Sequence, residues 1–238
     1  MILLDPNARL VVGHRGASGE FPENTMTAFE QAIAQGADAI ELDVRMSADG
    51  VPVVIHDATV DRTTNASGPV GAMTAAQLRA LNVGAGEAIP PLRDVFARFG
   101  GVPMIIEVKE VSAARPVMQL LELFGMEQRV LLGSFEHAAL SLFRVRGVPT
   151  SASRRETARR WMATRIGLAP RRHVYQAFTI PEWHGRVRVV DRRFVRAARP
   201  RGLPIHVWTV NDPRDAARLW KLGVNGVITN YPDKIKRR

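Results

Sequence analysis

Apolar, β-rich runs recur along this chain with helical patterns between them, and that alternation limits the available folds more than any other feature. Runs with strand character lie at 9–14 (RLVVGH), 39–44 (AIELDV), 104–108 (MIIEV) and 129–135 (RVLLGSF). Four more follow at 148–152 (VPTSA), 173–178 (HVYQAF), 204–210 (PIHVWTV) and 226–229 (GVIT). Segments 23–36, 92–99, 114–124, 136–146, 154–165, 191–201 and 212–222 have apolar residues at helical spacing. In the first of these, Ala28, Phe29, Ala32 and Ile33 share one face and Gly36 ends the pattern. Near-continuous apolar strands alternating with helices imply an α/β fold whose parallel sheet is covered on both faces. Eight such units in 238 residues predict a closed (β/α)₈ TIM barrel, which typically needs about 250 residues. No repeat or linker interrupts the chain, so one domain over 1–238 is expected.

An apolar content of 46% with 24% charged residues suits a soluble protein with a real core. The opening MILLDPNARL has no basic region before an apolar run, so neither a signal peptide nor a membrane span is expected, and the cytoplasm is the expected location. With no cysteine in the chain, a metal site or a nucleophile must be built from oxygen and imidazole groups. The net charge of +10 is concentrated in 144–201, where sixteen Arg face only Glu156, Glu182 and Asp191. Such a segment could attract nucleic acid, anionic lipid or phosphate compounds. Its few aromatics (Trp161, Tyr175, Phe178) make a poor stacking platform for bases, so a solvated basic surface is the expectation and nucleic acid is not an expected partner.

The stretch ELDVRMSADGVPVVIHD (41–57) holds the chemistry. A parallel return needs a crossover of about a dozen residues. Only SADG is available, so VPVVIHD must come back antiparallel as a hairpin. Asp49-Gly50 favours a two-residue turn, which sets His56 opposite Asp43. A four-residue loop sets it opposite Glu41. Either register leaves the imidazole on the carboxylate face, and a three-residue loop would move it to the other face.

Active sites of such barrels gather at the C-terminal ends of the strands. The polar residues expected there are His14, Arg15, Glu41, Asp43, Glu107, Lys109, Trp208 and Asn211. Spacing of two puts Glu41 with Asp43 on one face, and Glu107 with Lys109. Three converging acids repel unless something neutralises them. One divalent cation would do so, and an all-oxygen set favours Mg²⁺ or Ca²⁺ over zinc. Ion pairs with Arg15, Arg45 and Lys109 would do so too. His14 and His56 suit a general acid and base. Arg15 and Lys109 offer charge to a phosphoryl group, and Trp208 could form a pocket wall. His137, His173, His184 and His206 lack such company and read as structural.

The blocks GHRGASGEFPENTMTAF, GADAIELDVRMSADGVPVVIHD, IIEVK, VWTVN and GVNGVITNYPD resemble the glycerophosphodiester phosphodiesterase family, in order and across nearly the whole chain. The resemblance implies a (β/α)₈ barrel that hydrolyses small glycerophosphodiesters to sn-glycerol 3-phosphate and an alcohol. It implies metal ligands at Glu41, Asp43 and Glu107, and an acid–base pair at His14 and His56. Arg15 and Lys109 match phosphate positions, and Trp208 matches a pocket position. Residues 57–91 match the family's small insertion, associated with substrate choice. Asn230 departs from the family's frequent Asp, at a position expected to close the barrel without acting in catalysis. A lysophospholipid-cleaving variant of the same chemistry would need an apolar rim, for which 57–91 supplies only scattered residues such as Met73 and Leu81. The pocket beside Trp208 is otherwise expected to be small and to leave the departing alcohol unread.

Overall fold

The computed structural model of the chain describes residues 1–168 and 173–235. Strand β1 (Leu10–His14), helix α1 (Met26–Ala34), β2 (Ala39–Met46) and β3 (Pro52–Val54) come first. Helices α2 (Ala75–Arg79) and α3 (Leu92–Phe99), β4 (Met104–Val108), α4 (Ala114–Phe124), β5 (Val130–Gly133), α5 (His137–Val145) and α6 (Arg154–Arg165) follow. The last part holds β6 (Phe178–Pro181), the short hairpin β7 (Trp183–His184) and β8 (Val187–Arg188), then α7 (Arg192–Ala198), β9 (Ile205–Trp208), α8 (Pro213–Leu222) and β10 (Gly226–Thr229).

Seven strands form a parallel sheet in the order β5-β4-β2-β1-β10-β9-β6, with β3 antiparallel on β2. The sheet nearly closes on itself. Its two ends are spanned by single parallel bridges, Leu132 with Thr150 and Ser151 with Ala177. The strand expected at 148–152 is reduced to these bridges because Ser153 caps α6 immediately afterwards, in a reciprocal arrangement with Glu156. The strand expected at 173–178 lies later, at 178–181: its ladder with β9 begins only at Phe178, whose ring is buried against Phe194 of α7.

Alternation along the strands sorts the apolar residues into an inside and an outside. Inside, Leu10, Val12, Ala39, Ile105, Leu131 and Ile228 pack as one buried cluster, plugged by Leu3 from the N-terminal turn. Outside, Ile40, Leu42, Ile106 and Leu132 pack under Phe29, Phe96 and Leu121 of the helices. Two residues further along the inward rows of β1, β2 and β4 stand His14, Glu41 and Glu107. The fold thus gives the barrel a dry floor and a polar mouth.

The β2–β3 hairpin differs from its expected register. Val44 pairs with Val54 and Met46 with Pro52, and Ser47 and Val51 close a three-residue loop in which Gly50 takes φ 76°. A turn followed by a left-handed glycine is the usual three-residue solution, and the Asp49 carboxylate accepts from Ser47 Oγ and Ala75 N. By alternation His56 would then face away from Glu41 and Asp43. It does not, because β3 ends at Val54 and the chain bends at His56. Arg45 Nε donates to the His56 carbonyl at 2.8 Å, fixing that bend.

Residues 57–91 gather on a small core of their own, where Val60, Val70, Leu78 and Ile89 join Val53 and Ile55. Among the described residues no helix is long and apolar enough to cross a membrane.

His206 is fully buried, with Nε2 2.8 Å from the Leu3 carbonyl oxygen, and its ring lies where a side chain on Gly226 would sit. Burial lowers its pKa to about 4. The folded chain therefore refuses a proton that the unfolded chain accepts below about 6.5. Stability from this group is present above that pH and falls by about 2 kcal/mol between pH 7 and 5. In urea melts at the two pH values, wild type should lose about 2 kcal/mol more than His206→Gln, which keeps a donor for Leu3 without the titration.

Candidate active site

At the mouth, Glu41, Asp43 and Glu107 bring carboxylate oxygens within 4.8 Å of one another. Asp43, at 1% side-chain exposure, is their centre. Its Oδ1 lies 2.8 Å from Lys109 Nζ. Its Oδ2 lies 3.1 Å from Arg15 Nε and accepts from Asn24 Nδ2 at 3.0 Å. Lys109 Nζ also reaches Glu107 Oε1 at 2.8 Å, and Glu41 Oε2 accepts from the Arg15 backbone N–H at 2.9 Å. Arg15 and Asn24 both take the left-handed conformation, φ 55° and 58°, and the Asn24 N–H donates to the Arg15 carbonyl. Such an angle is uncommon for Arg, whereas Asn adopts it readily; strained angles of the first kind recur where surroundings fix a site.

The electrostatics follow from this crowding. Burial pushes the Glu41 carboxyl well above its ordinary value, and the neighbouring Asp43 and Glu107 push the same way. Burial raises Glu107 as well, against the pull of Lys109. For Asp43 burial is outweighed by Lys109 and Arg15, which hold the carboxyl below its usual range. Lys109 is held above its usual value because Asp43 and Glu107 outweigh the cost of its own burial.

Each histidine at the mouth has Nδ1 engaged. His14 Nδ1 meets Asn230 Oδ1 at 2.7 Å, and His56 Nδ1 meets Asp57 Oδ1 at 2.6 Å. With Oδ1 able only to accept, His14 carries its proton on Nδ1 and leaves Nε2 open, 4.0 Å from Glu41 Oε2. Burial and the adjacent Arg15 lower the His14 pKa. Asp57 is held in turn by Arg62 Nε at 2.6 Å, and Arg62 and Arg15 share Glu23.

His14, Glu41, His56 and Glu107 line one end of a cavity of about 670 Å³. Trp208 is on its wall, edge-on to Phe135 at 6.4 Å. The cavity runs from the acid cluster toward α6 and the β7–β8 hairpin, where it is mostly apolar. The pocket is therefore larger than expected. Among the described residues none from 57–91 lines it, and Met73 and Leu81 pack into the small core of that segment instead of forming a rim.

The model of the glycerophosphoryl diester phosphodiesterase family matches residues 14–234. The chain belongs to this family. It is 33% identical to a glycerophosphodiester phosphodiesterase of Caldanaerobacter subterraneus, over 95% of this chain and 96% of that one. A Bacillus subtilis glycerophosphodiester phosphodiesterase is also 33% identical, over 99% of this chain and 89% of its own. Among solved structures, the Agrobacterium tumefaciens glycerophosphodiester phosphodiesterase superposes with a TM-score of 0.78 at 29% identity, covering 95% of this chain and 98% of that one. An Oleispira antarctica phosphodiesterase, solved with its product sn-glycerol 3-phosphate, gives 0.77 at 26% identity over 95% and 94%. The family places this chain among the phosphodiester hydrolases, and the parallel barrel agrees with its structural neighbours.

Within that frame the expected residues do come together: His14, Arg15, Glu41, Asp43, His56, Glu107, Lys109 and Trp208 all stand at one mouth. Arg45 does not join them, since it serves the His56 backbone. Asn230, expected only to close the barrel, touches His14. Asn211 Oδ1 accepts from the Asn230 N–H at 2.9 Å and so fixes its place. Asn24 and Glu23 escaped the sequence reading, although both lie inside the block around PENTMTAF. His184 also lines the cavity, with Arg154 Nη2 3.2 Å away.

The described Arg residues of 144–201 are mostly exposed, as expected of a solvated basic surface. Arg160 is buried, Arg144 is paired with Glu156, and Arg165 with Asp191. Arg171 and Arg172 lie outside the described residues.

Removing one partner from a buried ion cluster costs about 3–5 kcal/mol. Lys109→Met should destabilise the chelator-treated protein by about that much at pH 7. Asp43 and Glu107, left without the ammonium, should then bind protons more readily when folded than when unfolded. The deficit against wild type should therefore shrink as pH falls from 7 toward 5. Paired urea melts read both the size and the slope.

Proposed function

We propose that this enzyme hydrolyses small glycerophosphodiesters to sn-glycerol 3-phosphate and an alcohol at the barrel mouth. The observation that carries the proposal is the convergence of two histidines, each with Nδ1 engaged, with Arg15, Lys109 and three carboxylates at one end of the barrel, beside the cavity. The product bound to the Oleispira antarctica neighbour supports the same substrate class.

The donor set fits one hard divalent cation, Mg²⁺ or Ca²⁺. It is all oxygen, its members lie within 4.8 Å, and the raised Glu41 carboxyl reflects a crowding that a cation relieves. Glu41, Asp43 and Glu107 would hold the ion, which when bound supplies positive charge to the nonbridging phosphate oxygens.

The chain's own groups do the rest. Arg15 and Lys109 place charge where the phosphoryl oxygens become more negative. His14, whose Nδ1 proton is committed to Asn230, presents a lone pair at Nε2 and takes the proton of the attacking hydroxyl as the new P–O bond forms. His56, oriented by Asp57 at Nδ1, gives a proton from Nε2 to the departing alkoxide as its P–O bond breaks. The attacking hydroxyl is that of water, or of the glyceryl 2-position. In the second case a cyclic phosphate forms and water opens it with the two roles exchanged. Trp208 bounds the site. Oligomeric state plays no part in the proposal.

Chelation with EDTA should abolish glycerol 3-phosphate release from glycerophosphoglycerol, and Mg²⁺ or Ca²⁺ should restore it. Glu41→Gln should weaken cation binding by calorimetry while circular dichroism stays native. Full turnover by protein shown metal-free by elemental analysis would contradict the ligand assignment.

His14→Ala and His56→Ala should each lower kcat by about 10²–10⁴-fold. A wild-type pH–rate profile should be bell-shaped, and each variant should lose one limb. Near-normal turnover across pH in either variant would remove that residue from the mechanism.

A further inference from the structure

We infer that the cavity beside the acid cluster is a subsite for a single aliphatic chain carried by the phosphodiester. This rests on the phosphodiesterase reading above and names the substrate class of the same site. The half remote from Glu41 and Glu107 is walled by one face of α6, with Ala158, Trp161 and Met162 at helical spacing, and by Ile180, Val187 and Val189 opposite. At about 670 Å³ the space exceeds what a glyceryl phosphate needs and falls within the range of pockets for larger ligands.

Two observations select the occupant. Beyond the cluster itself the charged residues lining the wall are basic, Arg154 with His184 beside it. Among the described lining residues no carboxylate stands there to meet a positive headgroup such as choline. The remaining surface is apolar, and it reaches solvent past Phe135, Met162 and Val187, which are 56%, 56% and 44% exposed. Large apolar side chains left exposed around a concave opening mark a binding surface. An uncharged aliphatic chain matches both, and a compact cationic headgroup matches neither.

The chain could belong to the departing alcohol or to the glyceryl part. The test uses both: glycerophospho-n-alkanols of two to ten carbons, and 1-acyl-glycerophosphoglycerols of matched chain length, all below micellar concentration, with glycerophosphocholine as reference. Burying each methylene should raise kcat/KM by about fourfold, or by about 10²-fold over four carbons, before a plateau. The series that rises identifies the side. Ala158→Trp should bring the plateau to shorter chains and lower the ratio of octyl to choline diester by at least tenfold. If that variant does not fold, Met162→Asp should reduce the same ratio. A flat series, with glycerophosphocholine turned over normally, overturns the subsite and leaves the phosphodiesterase reading intact. If no diester is hydrolysed with Mg²⁺ or Ca²⁺ present, that reading fails on its own. n-Alkyl phosphates then decide the subsite by tryptophan fluorescence from Trp161 and Trp208: Kd falling with chain length upholds it, and Kd independent of length overturns it.

Discussion

Everything at the mouth of this barrel depends on how one buried carboxylate is held. Asp43 lies between Lys109 and Arg15, with Asn24 closing the remaining approach to Oδ2. Burying a carboxylate costs several kcal/mol unless opposite charge and hydrogen bonds offset it, and here both oxygens are engaged. The same two cations are the groups we propose to meet a phosphoryl ester. A single arrangement therefore settles the fold's most difficult burial and sets out positive charge beside the substrate space. Glu41 and Glu107 share less of that compensation, and their raised carboxyls leave them the members of the trio most in need of a cation.

Two networks extend this clasp to the histidines. Arg15 shares Glu23 with Arg62, and Arg62 holds Asp57 against His56. Arg62 comes from the 57–91 segment, which lines no part of the cavity. That segment acts on the site by orienting an imidazole from behind. His14 receives a neutral partner, Asn230. An amide oxygen fixes the tautomer as a carboxylate would, without the full charge that would favour an imidazolium. Asn230 is thus in contact with His14 as well as standing where the barrel closes.

The barrel was legible because its signal is redundant: helices at 92–99, 114–124 and 154–165 appear where apolar spacing puts them. The site residues were legible because alternation carries an inward row from Val12 to His14, from Ala39 to Glu41 and from Ile105 to Glu107. The hairpin register was not, since turn preference favours two residues at Asp49-Gly50 and the third depends on Ser47 and Val51 pairing across the loop. His56 reached the mouth despite the register, through a bend held by Arg45, and no periodicity argument extends past the end of a strand. Asn24, and the contact of Asn230 with His14, were missed for a related reason. Both act through loop conformation, where side-chain direction has no period to read.

The placement of the apolar groove follows from where the barrel is thinnest. On the side of β1, β2 and β4 the ladders are long, with Ile40 through Val44 beside Met104 through Val108, and the charged clasp sits on that rigid wall. On the other side, among the described residues, β5 reaches β6 only through the bridges at Thr150 and Ser151. A full strand there would carry the chain on past Ser153 and fill the space in front of the mouth. Ending it early lets α6 start beside the mouth and turn the face of Ala158, Trp161 and Met162 toward the space, with the β7–β8 hairpin across from it. Sacrificed ladder hydrogen bonds on one side are what leave room for a ligand larger than glycerol phosphate. Chemistry that requires fixed distances is built on the paired strands, and the surface that selects among substrates is built where pairing stops.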